Sequence, residues 1–249
     1  MTEDSRNIRV IMEYDGTRYL GWQRQAKGDT IQSLVEDRLR IMTGETLNVV
    51  GSGRTDAGVH ALHQVCNFLT RTRMDTEDLR RGLNSLLPDD IYIKSAERVP
   101  LDFHSRYDAR SKTYEYRIWN QRARNIFLRN FTWHIREPLN LEDMERSIRM
   151  LIGKHDFSSF RSSGSGNRNP FREMIGCDMA GPDNGLLRFT FEAEGFLRHM
   201  VRNIMGTLVD VGRGKMNSDD FKRIFLSKDR CKAGIKAPPQ GLFLKMVRY

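Results

Sequence analysis

The order of strands and helices that the hydrophobic pattern predicts constrains the fold of this chain more than any other feature. Alternating and helical apolar spacing predicts β-α-β-β-α-β over the first hundred residues, with strands near 8–14, 46–52, 60–69 and 91–99 and helices near 31–43 and 76–87. The same order recurs as strands near 111–119, 172–180, 187–194 and 242–247, with helices near 141–152, 197–211 and 218–227. This is the split β-α-β order of ferredoxin-like folds. We therefore predict an α+β protein of two ferredoxin-like halves, residues 1–106 and 107–249, whose sheets meet around a central cleft.

Two polar, glycine-containing stretches interrupt the predicted elements. They span residues 51–58 and 158–169. Long irregular loops on a compact scaffold are where binding and catalytic groups are concentrated. We expect function to lie in these stretches rather than in the regular elements.

Composition places the chain among globular proteins. No stretch of the 249 residues approaches the roughly 20 apolar residues of a spanning helix. The start, Met1 to Arg6, carries two acids and no apolar core, unlike a signal peptide, so a cytoplasmic location is expected. The three cysteines are widely spaced and match neither a disulfide framework nor a C-x-x-C metal motif, and we expect buried thiols at Cys66, Cys177 and Cys231.

The positive charge of the chain is concentrated in one segment. The formal net charge is +9, and most of the cations are arginine, which favours bidentate phosphate contacts and stacking on bases. Residues 106–136 contain eight cations and two acids, hence +6 of that total, interleaved with Tyr107, Tyr114, Tyr116, Trp119, Phe127, Phe131 and Trp133. A solvated cationic surface would explain the charge alone. Cations beside aromatic faces are typical of proteins that hold single-stranded or looped RNA.

The first polar loop places an arginine two residues before an aspartate. It reads Gly51-Ser-Gly-Arg54-Thr-Asp56-Ala-Gly58 and is neither a P-loop nor G-x-G-x-x-G. The structural interpretation is a tight turn in which the glycines supply positive φ angles and Asp56 bonds nearby backbone. The functional interpretation is that the Arg54 guanidinium keeps Asp56 ionised and nucleophilic where a ligand can approach closely.

Seven short blocks resemble the tRNA pseudouridine synthase A (TruA) family in order and spacing. The most specific is Gly53-Arg-Thr-Asp-Ala-Gly-Val-His-Ala61. The others are Tyr14-Asp-Gly-Thr17, Gly21-Trp-Gln23, Phe103-His-Ser-Arg106, Lys112-Thr-Tyr-Glu-Tyr116, Asp156-Phe-Ser-Ser-Phe160 and His199-Met-Val-Arg-Asn203. The resemblance extends from about residue 8 to residue 247.

The resemblance implies a role for four residues. Asp56 matches the essential carboxylate of a cofactor-free isomerisation of uridine to pseudouridine. Arg202 would pair with Asp56, Tyr114 would lie against the flipped uracil, and Arg54 would occupy the space that the target base leaves. Without the resemblance, Tyr114 would be a core aromatic, and Arg202 would be a surface residue beside Arg198 on an amphipathic helix.

The resemblance also implies the substrate and the assembly. The expected substrate is tRNA, modified at positions 38–40 of the anticodon stem-loop in an RNA-binding catalytic cleft, and the expected assembly is a homodimer. Segment 106–136 and the loop around Arg161, Arg168 and Arg172 become candidates for contacts with the RNA backbone.

Two other functional classes stay open at the level of sequence. A duplicated ferredoxin-like order with exposed aromatics is also typical of non-catalytic, RRM-like RNA-binding proteins. A metal-dependent nuclease or phosphotransferase could use Asp56 as a ligand. His60 and His63 lie three apart in a predicted strand and so face opposite sides, which argues against a shared metal, and we expect no metal and no cofactor.

Overall fold

The fold is taken from a computed structural model, which describes residues 5–164 and 169–249. Two parts of the chain considered above lie outside the described residues: Met1 to Asp4, where no signal peptide is expected, and the candidate RNA contact Arg168. The chain divides into two compact units, one formed by 1–110 and 244–249 and the other by 111–243. The functional boundary at residues 106 and 107 stays a prediction.

The first unit contains the elements of one β-α-β-β-α-β sequence. They are β1 (Arg6–Tyr14), α1 (Ile31–Thr43), β2 (Val50–Gly51), β3 (His60–Thr70), α2 (Thr76–Leu86) and β4 (Ile91–Val99). β1 lies between β3 and β4, antiparallel to both, and β2 is antiparallel to β3. The helices are set by local signals, since Thr30 and Asp75 cap their first turns and Gly44 ends α1 with φ +73°.

Strand β2 is much shorter than the predicted strand over 46–52. The backbone of Val49 is bonded by side chains of α1 instead of by a neighbouring strand. Gln32 Nε2 donates to its carbonyl oxygen at 3.1 Å, and its N–H donates to Glu36 Oε1 at 3.1 Å. Both α1 side chains are buried. Because a buried backbone group needs one partner and here finds it in a helix, strand pairing is confined to two residues.

The second unit is also mixed. Its elements are β5 (Ser111–Asn120), β6 (Trp133–Ile135), α3 (Leu141–Arg149), β7 (Gly153–Asp156), a 3₁₀ turn (Ser158–Phe160), β8 (Phe171–Asp183), β9 (Leu186–Ala193), α4 (Met200–Gly212), α5 (Ser218–Ser227) and further 3₁₀ turns at Arg230–Lys232 and Pro239–Gly241. The antiparallel order is β5-β9-β8-β7, with β6 parallel to β5. The last strand, β10 (Leu242–Arg248), has its first two residues in this unit.

Helix α4 differs from the amphipathic helix predicted over 197–211. It begins at Met200, because His199 has a left-handed backbone with φ +61°. Every residue of the helix except Asp210 is buried, including Arg202. The prediction that Arg198 and Arg202 share an outer helical face is therefore wrong: Arg198 precedes the helix, and packing surrounds the helix on nearly all sides.

The α+β class with a mostly antiparallel sheet is confirmed, whereas the assignment of both halves to the ferredoxin-like fold stays a prediction. Burial of the thiols was predicted correctly only for Cys66. Cys177 is partly exposed because it lies on β8, which has one open face, and Cys231 is exposed in a surface 3₁₀ turn. Within the described ranges, no helix has the length and apolar character needed to cross a bilayer.

Candidate active site

Asp56 lies on the loop that joins β2 to β3 in the first unit. It is partly exposed, while its neighbour Thr55 is buried. The loop turns at Asp56, whose carbonyl oxygen accepts the N–H of Val59 at 3.1 Å. Asp56 is thus a partly exposed residue whose backbone is held by a hydrogen bond within the loop and by its buried neighbour Thr55.

Buried polar side chains hold this loop on both sides of Arg54. Tyr14 Oη lies 2.8 Å from Thr55 Oγ1, and burial raises the pKa of Tyr14 well above its usual range, which keeps the phenol protonated. Ser52 Oγ donates to Gln64 Oε1 at 2.7 Å, and Gln64 Nε2 donates to the carbonyl oxygen of Gly53 at 2.9 Å. Ser52 and Gln64 are fully buried. Hydrogen bonds of this kind are costly to break because each lost partner leaves a desolvated polar group.

Gly21 brings a second segment against the Asp56 backbone. The N–H of Trp22 donates to the carbonyl oxygen of Thr55 at 3.1 Å. Gly21 has φ +88°, and a Cβ atom there would lie 2.4 Å from the Thr55 carbonyl oxygen and 2.9 Å from the Asp56 carbonyl carbon. Only glycine allows both the left-handed backbone and this approach.

Arg54 forms a hydrogen bond with the segment that contains Gly21. Its side chain is exposed, and its Nε donates to Gln23 Oε1 at 3.0 Å. Among the residues that the structure describes, Arg54 forms no ion pair. The inference that Arg54 acts on Asp56 therefore stays a prediction, and the contact that the structure gives Arg54 is with a glutamine of a neighbouring segment.

Tyr114 lies in the second unit, on β5. Only 8% of it is exposed. Its ring meets Phe196 edge to face, with centroids 4.9 Å apart and planes at 83°. Tyr116, two residues along the same strand face, is fully buried, and its hydroxyl donates to the Pro238 carbonyl oxygen at 2.7 Å. Both tyrosines thus contribute to packing, and Tyr114 keeps a small exposed edge.

Arg202 is buried in the second unit, and its side chain is hydrogen-bonded to a segment that packs against α4. Its Nε donates to the Ala237 carbonyl oxygen at 2.8 Å, and the Ala237 N–H donates back to the Arg202 carbonyl oxygen at 3.0 Å. Gly206 lets this segment approach, since a Cβ there would lie only 1.6 Å from the Ile235 carbonyl oxygen. The positive charge of Arg202 also acts on Tyr116, where it opposes the larger effect of burial, which raises the pKa of that phenol.

The candidate RNA contacts differ widely in exposure. In segment 106–136, Tyr107 and Phe127 are 75% and 88% exposed, whereas Tyr114 and Tyr116 are buried. In the other candidate loop, Arg161 is half-buried. Arg172 donates to the Asn169 carbonyl oxygen at 3.1 Å, and burial lowers the pKa of its guanidinium.

A search for metal ligands covered residues 5–164 and 169–249. In those ranges, no group of three or more His, Cys, Asp or Glu side chains is placed to hold an ion. His60 is buried, and the N–H of Gly16 donates to its Nδ1 at 3.0 Å.

The residues that support the loop were not singled out from the sequence. Tyr14 and Gly21 lie within motif blocks, which could have identified them. Gln64 offers only the signal of an amide within a predicted strand, and nothing in the sequence pairs it with Ser52. The four predicted residues fall into two pairs by unit, Arg54 and Asp56 in the first and Tyr114 and Arg202 in the second.

Comparison with known proteins gives consistent results across almost the whole chain. A family model described as tRNA pseudouridine synthase matches residues 10–108 and 148–249. The tRNA pseudouridine synthase A of Thermoanaerobacter sp. (strain X514) is 46% identical over 244 residues, covering 98% of this chain and 100% of the relative. The protein of the same name from Caldicellulosiruptor saccharolyticus has the same identity and coverage. Among solved structures, a chain of the archaeal box H/ACA sRNP Nop10-Cbf5 complex aligns with 81% of this chain and 44% of its own, at 11% identity and a TM-score of 0.36. The chain belongs to the tRNA pseudouridine synthase family.

Proposed function

We propose that this protein converts uridine to pseudouridine at positions 38–40 of the anticodon stem-loop of tRNA, with Asp56 as the essential carboxylate and without a cofactor. The observation that carries the proposal is the support of the Asp56 loop. A partly exposed carboxylate stands on a backbone held by Tyr14, Gln64 and Gly21, and such preorganisation lets one group act at a fixed point on a substrate.

The reaction is balanced within the nucleotide. The N1–C1′ glycosidic bond breaks, uracil turns, and a C5–C1′ bond forms. C5 loses its proton and N1 gains one, so no oxidant, reductant or metal is required. Three roles for Asp56 are compatible with this outcome: attack on the ribose, attack on the base, or removal of a ribose proton.

The other site residues have supporting roles in this proposal. Tyr114 stacks on the turning uracil and helps to remove the C5 proton. Arg202 is the cation that pairs with Asp56 and keeps it charged in this proposal. Its burial and its hydrogen bond to the Ala237 carbonyl oxygen support this role. Arg54 occupies the space that the target base leaves, and its exposed side chain, which bonds Gln23, supports this role.

The wider setting is part of the same proposal. The two units are ferredoxin-like halves of one RNA-binding catalytic unit, two chains form a homodimer, and the protein works in the cytoplasm. The strand order of the first unit, β4-β1-β3-β2, supports the ferredoxin-like assignment of that half.

The test is conversion of uridine to pseudouridine in an in vitro transcribed tRNA, with EDTA present. We expect conversion by the wild-type protein and a loss of at least about 10³-fold for Asp56→Asn, with the Kd for tRNA within about threefold. Asp89→Asn, an exposed carboxylate in a surface turn of the same unit, is the matched control and should keep full activity. Tyr114→Phe should slow turnover more than it weakens binding.

Each alternative function has its own outcome. Wild-type protein that binds tRNA but leaves uridine unchanged would be an RNA-binding module. Activity that EDTA stops and magnesium restores would indicate a metal-dependent enzyme. A loss of affinity alone in Tyr114→Phe would make Tyr114 a docking residue.

A further inference from the structure

The connection between β5 and β6 forms a rigid turn at the surface of the second unit. It covers residues 121–132, here called the 121–132 turn. Trp119 Nε1 donates to the Ala123 carbonyl oxygen near the start of the turn, and the ring nitrogen Nε2 of His134, which follows the turn, lies against the Gln121 carbonyl oxygen, each at 2.8 Å. At the tip, Asn125 Oδ1 accepts hydrogen bonds from the N–H groups of Phe127 and Leu128, at 3.0 and 3.1 Å. These hydrogen bonds hold the backbone of the turn within the second unit.

This turn directs two apolar side chains into solvent. Ile126 is 62% exposed and Phe127 is 88% exposed, the highest value for any large hydrophobic residue of the described chain. Leu128 and Phe131 of the same turn are only partly exposed. A phenylalanine held outward on a fixed backbone has its ring open to a planar partner.

The surroundings of Phe127 are cationic. Arg122, Arg124 and Arg129 are exposed, and residues 121–132 include no acid. Within residues 5–164 and 169–249, none of these three guanidinium groups takes part in an ion pair. Arg129 Nη1 donates to the Ile126 carbonyl oxygen at 2.6 Å, which places one positive charge beside the exposed pair. The turn thus offers a ring for stacking and a local charge of +3 for phosphates.

A second copy of this chain fits the turn less well than RNA does. A twofold contact through the same patch would bring +3 against +3. Two side chains also supply little of the roughly 800 Å² per partner that a stable interface buries. Phosphates, by contrast, neutralise the arginines and release counterions on binding.

We infer that the 121–132 turn is a docking surface for RNA, in which Phe127 stacks on an unpaired base and Arg122, Arg124 and Arg129 contact the flanking phosphates. This inference rests on the proposed function for the choice of tRNA as substrate. It goes beyond family membership, since the turn lies outside the segments 10–108 and 148–249 that the family model matches.

The test compares affinities for an in vitro transcribed tRNA in an Asp56→Asn background, which prevents turnover during the measurement. Phe127→Ala should raise Kd about 5- to 150-fold, the effect of losing one stacked base, and Phe127→Trp should keep Kd within about twofold. Tyr92→Ala, which truncates an aromatic that is 48% exposed on β4, is the matched control and should leave Kd unchanged. The exposure of Phe127 means that its removal leaves the core intact.

Salt dependence separates stacking from charge. Arg124→Gln should reduce the slope of log Kd against log salt concentration by about 0.7 to 0.9, whereas Phe127→Ala should leave the slope as it is. A Kd within twofold of the parent for Phe127→Ala would overturn the inference. So would sedimentation velocity showing that Phe127→Ala converts a dimer to a monomer, because the turn would then be an interface between copies. If wild-type protein leaves uridine unchanged while Phe127→Ala still weakens RNA binding, the proposed function fails and this inference stands.

Discussion

Replacing Gly21 by alanine tests whether the position of the Asp56 backbone controls the reaction. In the native structure, Gly21 has φ +88°, and its Cα faces the loop that carries the carboxylate. An added Cβ would lie 2.4 Å from the Thr55 carbonyl oxygen and 2.9 Å from the Asp56 carbonyl carbon. Both neighbours are backbone atoms, so no side chain can rotate out of the way.

The size of the effect follows from that geometry. Restoring an ordinary separation of 3.4 Å from 2.4 Å requires the two segments to move apart by about 1 Å. A displacement of about 1 Å in a catalytic group costs roughly 10²-fold in rate. The left-handed backbone adds about 1–2 kcal/mol of destabilisation for any residue with a Cβ. We therefore expect Gly21→Ala to reduce kcat about 100-fold.

Gly44→Ala is the matched control for the backbone contribution. Gly44 ends α1 with φ +73°, and a Cβ there would have nothing within 4 Å. Both variants should lose a similar 1–2 kcal/mol of unfolding free energy to backbone strain, with a further loss in Gly21→Ala from the steric contact. Only Gly21→Ala should lose turnover.

The assay is the single-turnover rate of uridine conversion at saturating enzyme, with the Kd for tRNA and urea unfolding measured on the same samples. Single-turnover conditions separate the chemical step from product release. A rate for Gly21→Ala within threefold of the rate for Gly44→Ala would refute the reasoning, because the Asp56 loop would then tolerate the displacement. So would an equal loss of rate in both variants, which would trace the effect to backbone strain alone.

Two further predictions concern the second unit and the thiols. Gly206→Ala puts a Cβ 1.6 Å from the Ile235 carbonyl oxygen. We therefore expect urea unfolding to show a loss of about 3 kcal/mol in unfolding free energy, together with loss of the hydrogen bond between Arg202 and Ala237. A change under about 0.5 kcal/mol would contradict the close approach. With iodoacetamide at pH 8, peptide mass spectrometry should find the exposed Cys231 alkylated first. Cys177 should follow slowly, because burial raises its pKa to about 12, and Cys66 should react only in denaturant; equal rates at all three would contradict the burial pattern.

Local signals were sufficient for most of the regular structure. The helices over 31–43 and 76–86 begin where Thr30 and Asp75 can cap them, and the strands alternate as expected. The errors occurred where distant groups intervened. Two side chains of α1 form the hydrogen bonds of the Val49 backbone, so β2 is shorter than predicted. The left-handed backbone of His199 makes α4 begin later than predicted.

The sequence was sufficient to find the motif that contains Asp56, but it did not predict which side chains contact one another around it. Asp56 stands in a nine-residue block that can be recognised without any coordinates. The inference that Arg54 acts on Asp56 came from sequence proximity, whereas the hydrogen bond from Arg54 to Gln23 is visible only in the structure. The composition of segment 106–136 did not show which of its aromatics face solvent, and Tyr116 and Phe127 are 0% and 88% exposed.

The amino-acid sequence by itself determined the order of the elements in the first hundred residues, the α+β class, the Asp56 motif and the family, because each depends on residues that are close along the chain or identical to a pattern. The short strands β6 and β7 of the second unit were not predicted. The tertiary structure alone decided what supports Asp56, what aims Arg202 and which arginines and aromatics stay in solvent. These depend on contacts such as Tyr14 with Thr55 and Ala237 with Arg202, between segments far apart in sequence. Burial and hydrogen bonding are properties of such contacts, and no local pattern of residues encodes them.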